Sequence, residues 1–567
     1  MLRGPGALLF GSQAIGGVIN VIDRRIPLAA PEGGLWVEGL TAFDTASNLR
    51  SGGLSLDAAL GESFVVHVDG SFRETDELEI PGFQLTEDLR ADLLADADEE
   101  EAEGELEEAE ELREAAAQTG LLPNSQTESY TANGGFAFLF GDSSIGASVG
   151  YFDSDYGVVG NPEGGHAEGE EEGGAEEEEE EEIVTIGLEQ VRVDFRGDFA
   201  LGDGFFSRLK VRAGYSDYTH TEFEGDEVGT VFESDTFESR VELIQSSGGV
   251  IGAQFTSRDF SAVGEEAFVP PNDTTQFALF TAQEVDLGGV QLEAAGRYER
   301  VDVDSEPLDL DRGFDLFSGA VALVAGSVED GLRGGLTASR SERAPAAEEL
   351  FADGPHIATQ AFEIGDPNLD TESAWGLEAF VSAGDDNWQF SASVYYQKFD
   401  DFIFLLPNGL EEDELPVFEF LQQDADFVGF EAELAFPIVD SDGFSLRTDL
   451  SASFVDASGD DDSELPRIPP FSALAALDAK FGAFDVRGEV QWFGSQNDVS
   501  EFETPTDDFA FTNLYVSWRP LADNQNVVFQ VSAENLFDVT GRRHSSFTKD
   551  FVPLSGQNFR ASLRFGF

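Results

Sequence analysis

Strict alternation of apolar and polar positions is the strongest pattern along this chain. In 289–300, Val290, Leu292, Ala294, Gly296 and Tyr298 alternate with Gln291, Glu293, Ala295, Arg297 and Glu299. The same rhythm sets Trp388, Phe390, Ala392, Val394 and Tyr396 against Gln389, Ser391, Ser393, Tyr395 and Gln397. It returns at 444–454 and 484–492, where Phe444, Leu446, Leu450 and Phe454, then Phe484, Val486, Val490 and Trp492, oppose Ser, Arg, Asp, Glu and Gln. Successive strand side chains point to opposite faces, so each stretch reads as a strand with one apolar and one strongly polar face. Similar segments lie at 145–151, 191–199, 210–218, 277–284, 512–518, 526–534 and 559–567, divided by Gly/Asp/Asn/Pro/Ser turns or long acidic loops.

Two architectures satisfy this pattern. A soluble sandwich turns the apolar face inward, whereas a transmembrane barrel turns it out to lipid and lines its bore with charge. The polar faces here mix Arg, Asp and Glu, which suits a hydrated bore, and the strands are rich in Phe, Trp and Tyr near their ends, which suits aromatic girdles. A sheet in lipid has to close on itself to leave no unpaired edge. The fold class expected is therefore all-β, a large antiparallel transmembrane barrel. At roughly two dozen residues per strand plus connection, 28–567 would supply about 22 strands.

Composition narrows the chemistry. The 567 residues include 113 acidic and 31 basic ones, a formal net charge of −82, which repels nucleic acid. There is no cysteine, so disulfides, thiol nucleophiles and Cys-ligated metals are excluded, and Met1 is the sole methionine. No run approaches ~18 consecutive apolar residues, so no transmembrane helix is expected. His-x-x-His and His-Glu-x-x-His runs, phosphate-binding loops and Gly-x-Ser-x-Gly elbows are missing, and His67, His166, His220, His356 and His544 are scattered, so no enzyme is expected.

Two acidic insertions interrupt the strands. Residues 85–125 hold a Glu/Leu/Ala/Arg-rich stretch that could be helical in part, and 160–183 contain GNPEGGHAEGEEEGGAEEEEEEE. Charge blocks of one sign stay solvated and disordered, so both are expected as extracellular loops. Their functional reading is a low-affinity cation collector, in which clustered carboxylates offer hard oxygen ligands to zinc, calcium or another divalent cation.

Residues 2–22, LRGPGALLFGSQAIGGVINVI, resemble the end of the plug domain of TonB-dependent outer-membrane receptors. The signature comprises Arg3, Gly4, Pro5, Gly11, Gly16, Gly17 and Asn20. The glycines permit tight turns, Val18, Ile19 and Val21 are expected to form a buried strand, and Arg3 is expected to meet acidic groups of the barrel wall. Further resemblance lies in SRSERAPAAEELFADGPHIATQAFEIGDPNL (339–369), LPRIPPF (465–471) and ENLFDVTGRRH (534–544). In FRASLRFGF (559–567), the alternating Phe559, Ala561, Leu563, Phe565 and Phe567 resemble the signal read by the barrel-assembly machinery.

The resemblance implies a remnant of the plug at 1–27 and a barrel at 28–567. It implies active uptake of a scarce nutrient across the outer membrane of a Gram-negative bacterium, powered through TonB–ExbB–ExbD, by a monomer embedded in outer-membrane lipid. A passive, uncoupled pore is the alternative. Within the family, YGVVGNPEGGH followed by the acidic run and VRVDFRGDF (156–199) is similar to zinc-uptake receptors, although glutamate replaces most of the loop histidines. The cargo implied is a metal ion, zinc or another divalent cation, or a metal chelate such as a siderophore. The candidate ligands are His166, Glu168, Glu170, Glu171, Glu172 and His356. No covalent cofactor is implied. The family's signal peptide, TonB box and most of its plug have no counterpart in the sequence, so the reading frame is expected to begin upstream of Met1.

Overall fold

The computed structural model describes residues 4–12, 15, 17–19, 21–160, 184–225, 227–264, 266–327, 331–357, 359–385, 387–412 and 415–567. Among these, one sheet gathers 24 strands. Two of them, the short pair Asp353–His356 and Ala361–Ile364, form a hairpin at the rim, and the remaining 22 make a closed antiparallel barrel. The first barrel strand, Leu35–Asp44, pairs with the last, Asn558–Gly566, across the register Glu38↔Gly566 to Asp44↔Arg560. Closure leaves no open edge, the condition that lipid imposes.

The alternation decides which face goes where. On Phe444–Ser458 and its neighbours, Leu450, Phe454, Leu477 and Val490 are exposed on the outer face. The intervening side chains point to the bore and pair there: Arg487 reaches Glu489 at 2.8 Å, Asp449 at 2.8 Å and Asp478 at 2.6 Å. At the outer boundary, tyrosines stand in lipid and donate their hydroxyls to nearby carboxylates, as Tyr298 does to Asp315 and Tyr215 to Asp235, each at 2.7 Å. An amphipathic ring that is apolar in its body and wet at its tip suits this level.

The connections at one end of the barrel are tight. Phe481 and Phe484 are joined by Gly482-Ala483 with φ of 59° at Gly482, the glycine-first two-residue hairpin whose twist matches the strands. At the other end the strands run on well past a membrane thickness, to 27 residues in Leu415–Ser441, and carry the long connections.

Inside the bore lies the N-terminal segment. Gly4–Leu9 forms a 3-10 helix with Ala7 and Leu8 buried, packed on the strands Asn272–Asp286, Val290–Ser305, Leu310–Ser327 and Leu332–Arg343. Arg25 and Ile26 then pass against the wall at two glycines. A Cβ at Gly135 would stand 1.9 Å from the Arg25 carbonyl oxygen, and one at Gly146 would stand 2.6 Å from Ile26. The wall is thinned where the chain crosses it.

Candidate functional site

The long connections form a crown over the bore, and charge organises it. The first acidic insertion folds into two helices, α1 (Glu87–Glu103) and α2 (Leu106–Ala117). Glu87 and Asp88 sit in the first turn of α1, where the helix dipole favours anions, and Gly104 ends it with φ of 104°. Leu93, Ala97, Leu112 and Ala116 are buried together with Leu85 and Phe551. The expectation of a solvated, disordered loop is thereby corrected for 87–117. Leucine and alanine recur often enough to give the hairpin a small apolar core, and the glutamates face outward. Thr86 N–H donates to the Asp550 carbonyl at 2.9 Å and Thr540 Oγ1 to the Pro81 carbonyl at 2.8 Å, so the hairpin is moored to the connection 535–557.

A buried ionic cluster ties this connection to two others, 459–471 and 494–508. The Glu503 carboxylate accepts from the Arg467 backbone N–H at 2.9 Å and from Lys549 at 3.3 Å, with His544 Nε2 at 3.2 Å. Thr506 lies 3.1 Å from the other ring nitrogen of His544, and Thr504 donates to Asp550 at 2.7 Å. Burial pushes the Glu503 carboxyl up, but the His544 hydrogen bond, the Lys549 charge and the Arg467 N–H outweigh it and hold the group down at about 2. Burial also lowers Arg542, to about 10, against the opposing pull of Asp550. No local spacing announces this cluster, because its members come from three separate connections. The reading of His544 as an isolated histidine missed it.

His356 sits at the turn of the rim hairpin. Its Nδ1 lies 2.9 Å from Glu363, and its ring stacks on Phe268 at 4.1 Å. Phe268 leads on to Phe232 at 6.3 Å, and Phe232 to His220 at 4.4 Å. His220 borders a cavity of about 360 Å³ with Tyr218, Phe232 and Arg258. The roots of the second acidic insertion are close by. Asn124 donates to the carbonyls of Val158 and Val184 at 2.7 Å each, clasping both ends, and a Cβ at Gly160 would stand 3.4 Å from Gln360 Nε2. His166, Glu168, Glu170, Glu171 and Glu172 lie outside the described residues. Among the described residues no group of three or more His, Asp or Glu is arranged to hold a metal ion. His356 is instead a hydrogen-bonded, ring-stacked side chain 26% exposed.

Of the N-terminal signature, Gly4 and Pro5 start the 3-10 helix, and Gly11 and Gly17 take φ of 130° and 128°. Arg3, Gly16 and Asn20 lie outside the described residues. The burial expected of Val18, Ile19 and Val21 is corrected: Ile19 is 77% and Val21 83% exposed, with no strand or helix among the described residues packed over them. Ser12 donates to Glu299 at 3.1 Å, and Arg240 donates to the Leu9 carbonyl. Glu299 is itself paired to buried Arg297 at 2.5 Å. At the closing seam, Phe559, Ala561, Leu563 and Phe565 lie on the last strand, and Phe567 exchanges backbone hydrogen bonds with Val37 at 2.9 and 3.0 Å.

Comparison with known proteins agrees with this architecture. The copper transporter OprC superposes with a TM-score of 0.74 at 15% identity, covering 94% of this chain and 80% of its own. The FrpB iron transporter from Neisseria meningitidis gives 0.69 at 13%, covering 94% and 81%. A variant of the ferric enterobactin receptor PfeA from Pseudomonas aeruginosa, in complex with enterobactin, gives 0.69 at 14%, covering 100% and 85%. At such identities the likeness is one of fold. In sequence, residues 120–536 match the family model described as TonB dependent receptor-like, beta-barrel. The chain belongs to this family of TonB-dependent receptors, outer-membrane transporters and not enzymes.

Proposed function

We propose that the chain is the barrel of an energy-coupled importer whose cargo is a metal ion, zinc or another divalent cation, or a metal chelate. The observation that carries the reading is the N-terminal segment seated within the bore: Ser12 and Leu9 are held by Glu299 and Arg240, as a plug tail would be. In this family the pull on the plug is supplied through TonB–ExbB–ExbD. Capture falls to the crown. The candidate ligands His166, Glu168, Glu170, Glu171 and Glu172 would concentrate cations by their charge, and His356–Glu363 stands near the described root of that insertion at Gly160. The names of the structural neighbours, which include copper, iron and ferric enterobactin, support a metal cargo.

The test is accumulation of radiolabelled zinc, copper and ferric citrate in Gram-negative cells producing the full reading frame that contains this chain, with and without an uncoupler. Accumulation of one of them that stops when the proton gradient collapses is expected. Accumulation that persists makes the barrel a passive pore and overturns the reading.

A further inference from the structure

One stretch of the outer face sets like charges in register. Asp217, Asp235, Asp259, Asp273, Asp304 and Asp311 stand directly opposite one another on six neighbouring strands. The strands are Phe206–Glu224, Glu227–Gln245, Val250–Gly264, Asn272–Asp286, Val290–Ser305 and Leu310–Ser327. Each of the six aspartates is exposed. They share the outward face with Tyr215, Phe237, Phe255, Phe277 and Phe317, and lie two to six residues closer to the crown than those rings. At about 4.8 Å between strands, the line spans about 24 Å.

Like charges directly opposite each other in a sheet repel. In a chain with 113 acidic residues against 31 basic ones a lone unpaired carboxylate is ordinary, but alignment makes the repulsion of these six add up along one line. Among the described residues the outward positions of the six strands carry one basic side chain, Arg300. It is already engaged by Asp302 and, at 3.1 Å, by Asp315. Asp235 accepts the Tyr215 hydroxyl at 2.7 Å, which leaves its charge in place.

The inner face of the same strand ends favours closure. Phe232, Phe260 and Ala262 are buried in one apolar cluster, and Val301, Val303, Phe314 and Leu316 in another. Phe232 and Phe260 also border, with His220 and Arg258, the cavity of about 360 Å³. Apolar burial behind thus opposes charge repulsion in front. The repulsion depends on the medium: the Debye length is about 30 Å in 0.01 M salt, about 10 Å in 0.1 M and about 3 Å in 1 M. The first exceeds the whole line, so every aspartate feels the other five. The second confines the interaction to near neighbours, and the third is shorter than the spacing between strands.

We propose that the line is a salt-sensitive latch of the wall: dilute medium splays the crown ends of these six strands, and saline medium closes them over the apolar clusters and the cavity behind. The latch acts through screening by the mobile ions of the medium. It is a property of the wall, and stands whether uptake is coupled or passive.

The experiment is hydrogen exchange of the folded full chain in detergent at about 0.01, 0.1 and 1 M sodium chloride. It is read at 216–222, 231–237, 257–262 and 301–306, with 446–452 and 486–491 around Arg487 as the charge-matched wall. Exchange at the first four stretches should slow at least fivefold from the lowest salt to the highest, and exchange around Arg487 should not slow. Asp235→Asn/Asp259→Asn/Asp273→Asn removes the middle of the line and should be protected at every salt concentration, losing most of the dependence. Glu107→Gln/Glu110→Gln/Glu114→Gln, on exposed positions of α2, changes the net charge equally and should leave the dependence intact. Heat-modifiable gel migration confirms that each variant is folded. Equal slowing in both sectors of the native chain, retained slowing in the Asn triple, or loss of it in the Gln triple overturns the proposal.

Discussion

Arg487 and Arg212 face the same bore from different sectors of the wall, and their surroundings differ in one respect. Arg487 is enclosed by Asp449, Asp478 and Glu489, all within 2.8 Å. Arg212 has Arg196 and Arg240 as its cross-strand partners and no carboxylate paired to it among the described residues. The first arrangement is what a wet wall needs in order to hold: charge is matched across adjacent strands, and each hydrogen bond is made between ionised groups. In the second, repulsion within the row weakens the sheet it belongs to, and only Arg240 is offset, by Glu242. The same wall thus neutralises one arginine threefold and sets another among like charges.

Three measurements can break or sharpen that contrast. Arg487→Ala leaves three carboxylates facing one another. It should cost roughly 2–3 kcal/mol, short of the full penalty for a broken buried pair because the Arg487 side chain is 29% exposed. The guanidinium chloride midpoint of the folded barrel in detergent checks this, and an unchanged midpoint would dissolve the distinction. In the crown, Glu503→Gln removes the charge that Lys549 and His544 face, at a cost of about 1–2 kcal/mol. The pH dependence follows from the direction of the shift. Glu503 is held below its unfolded value of about 4.3, so its stabilisation is complete above that value and is lost as the pH falls through about 2. Hydrogen exchange of 494–508 and 535–557 should therefore accelerate between about pH 4 and pH 2 in the native chain and lose that step in the variant. The smallest effect carries the opposite sign. Arg212→Gln relieves the row and should raise the unfolding midpoint slightly, by about 0.5 kcal/mol or less. A loss of stability as large as that of Arg487→Ala would make the row structural.

How far the sequence anticipates this molecule depends on whether a feature is periodic. The strands at 191–199, 277–284, 444–454 and 484–492 are legible because lipid on one side and water on the other force a period of two. Their extensions are not. Leu415–Ser441 runs far beyond the membrane, where both faces meet water and the alternation loses its cause. The α1–α2 hairpin is half legible, since its leucines hint at a helix while its glutamates argue for disorder. Phe551, which supplies the missing apolar surface, lies hundreds of residues away. The Glu503 cluster and the arginine row are invisible in the same way. Arg196 and Arg212 each look like an ordinary polar-face residue, and only register places them side by side. The ligands suggested at His166, Glu168, Glu170, Glu171 and Glu172 lie outside the described residues, while His356 is placed and found already engaged with Glu363.

The mooring of the α1–α2 hairpin has a consequence for biogenesis. Its anchorage, Thr540 to Phe551, comes from the stretch of chain just ahead of the final strand, and that strand zips onto the first one to shut the cylinder. A domain made early in synthesis thus finds its berth only when the last turn of the polypeptide arrives. An antibody raised to the docked hairpin would therefore stain completed cylinders at the cell surface and pass over those still gaping.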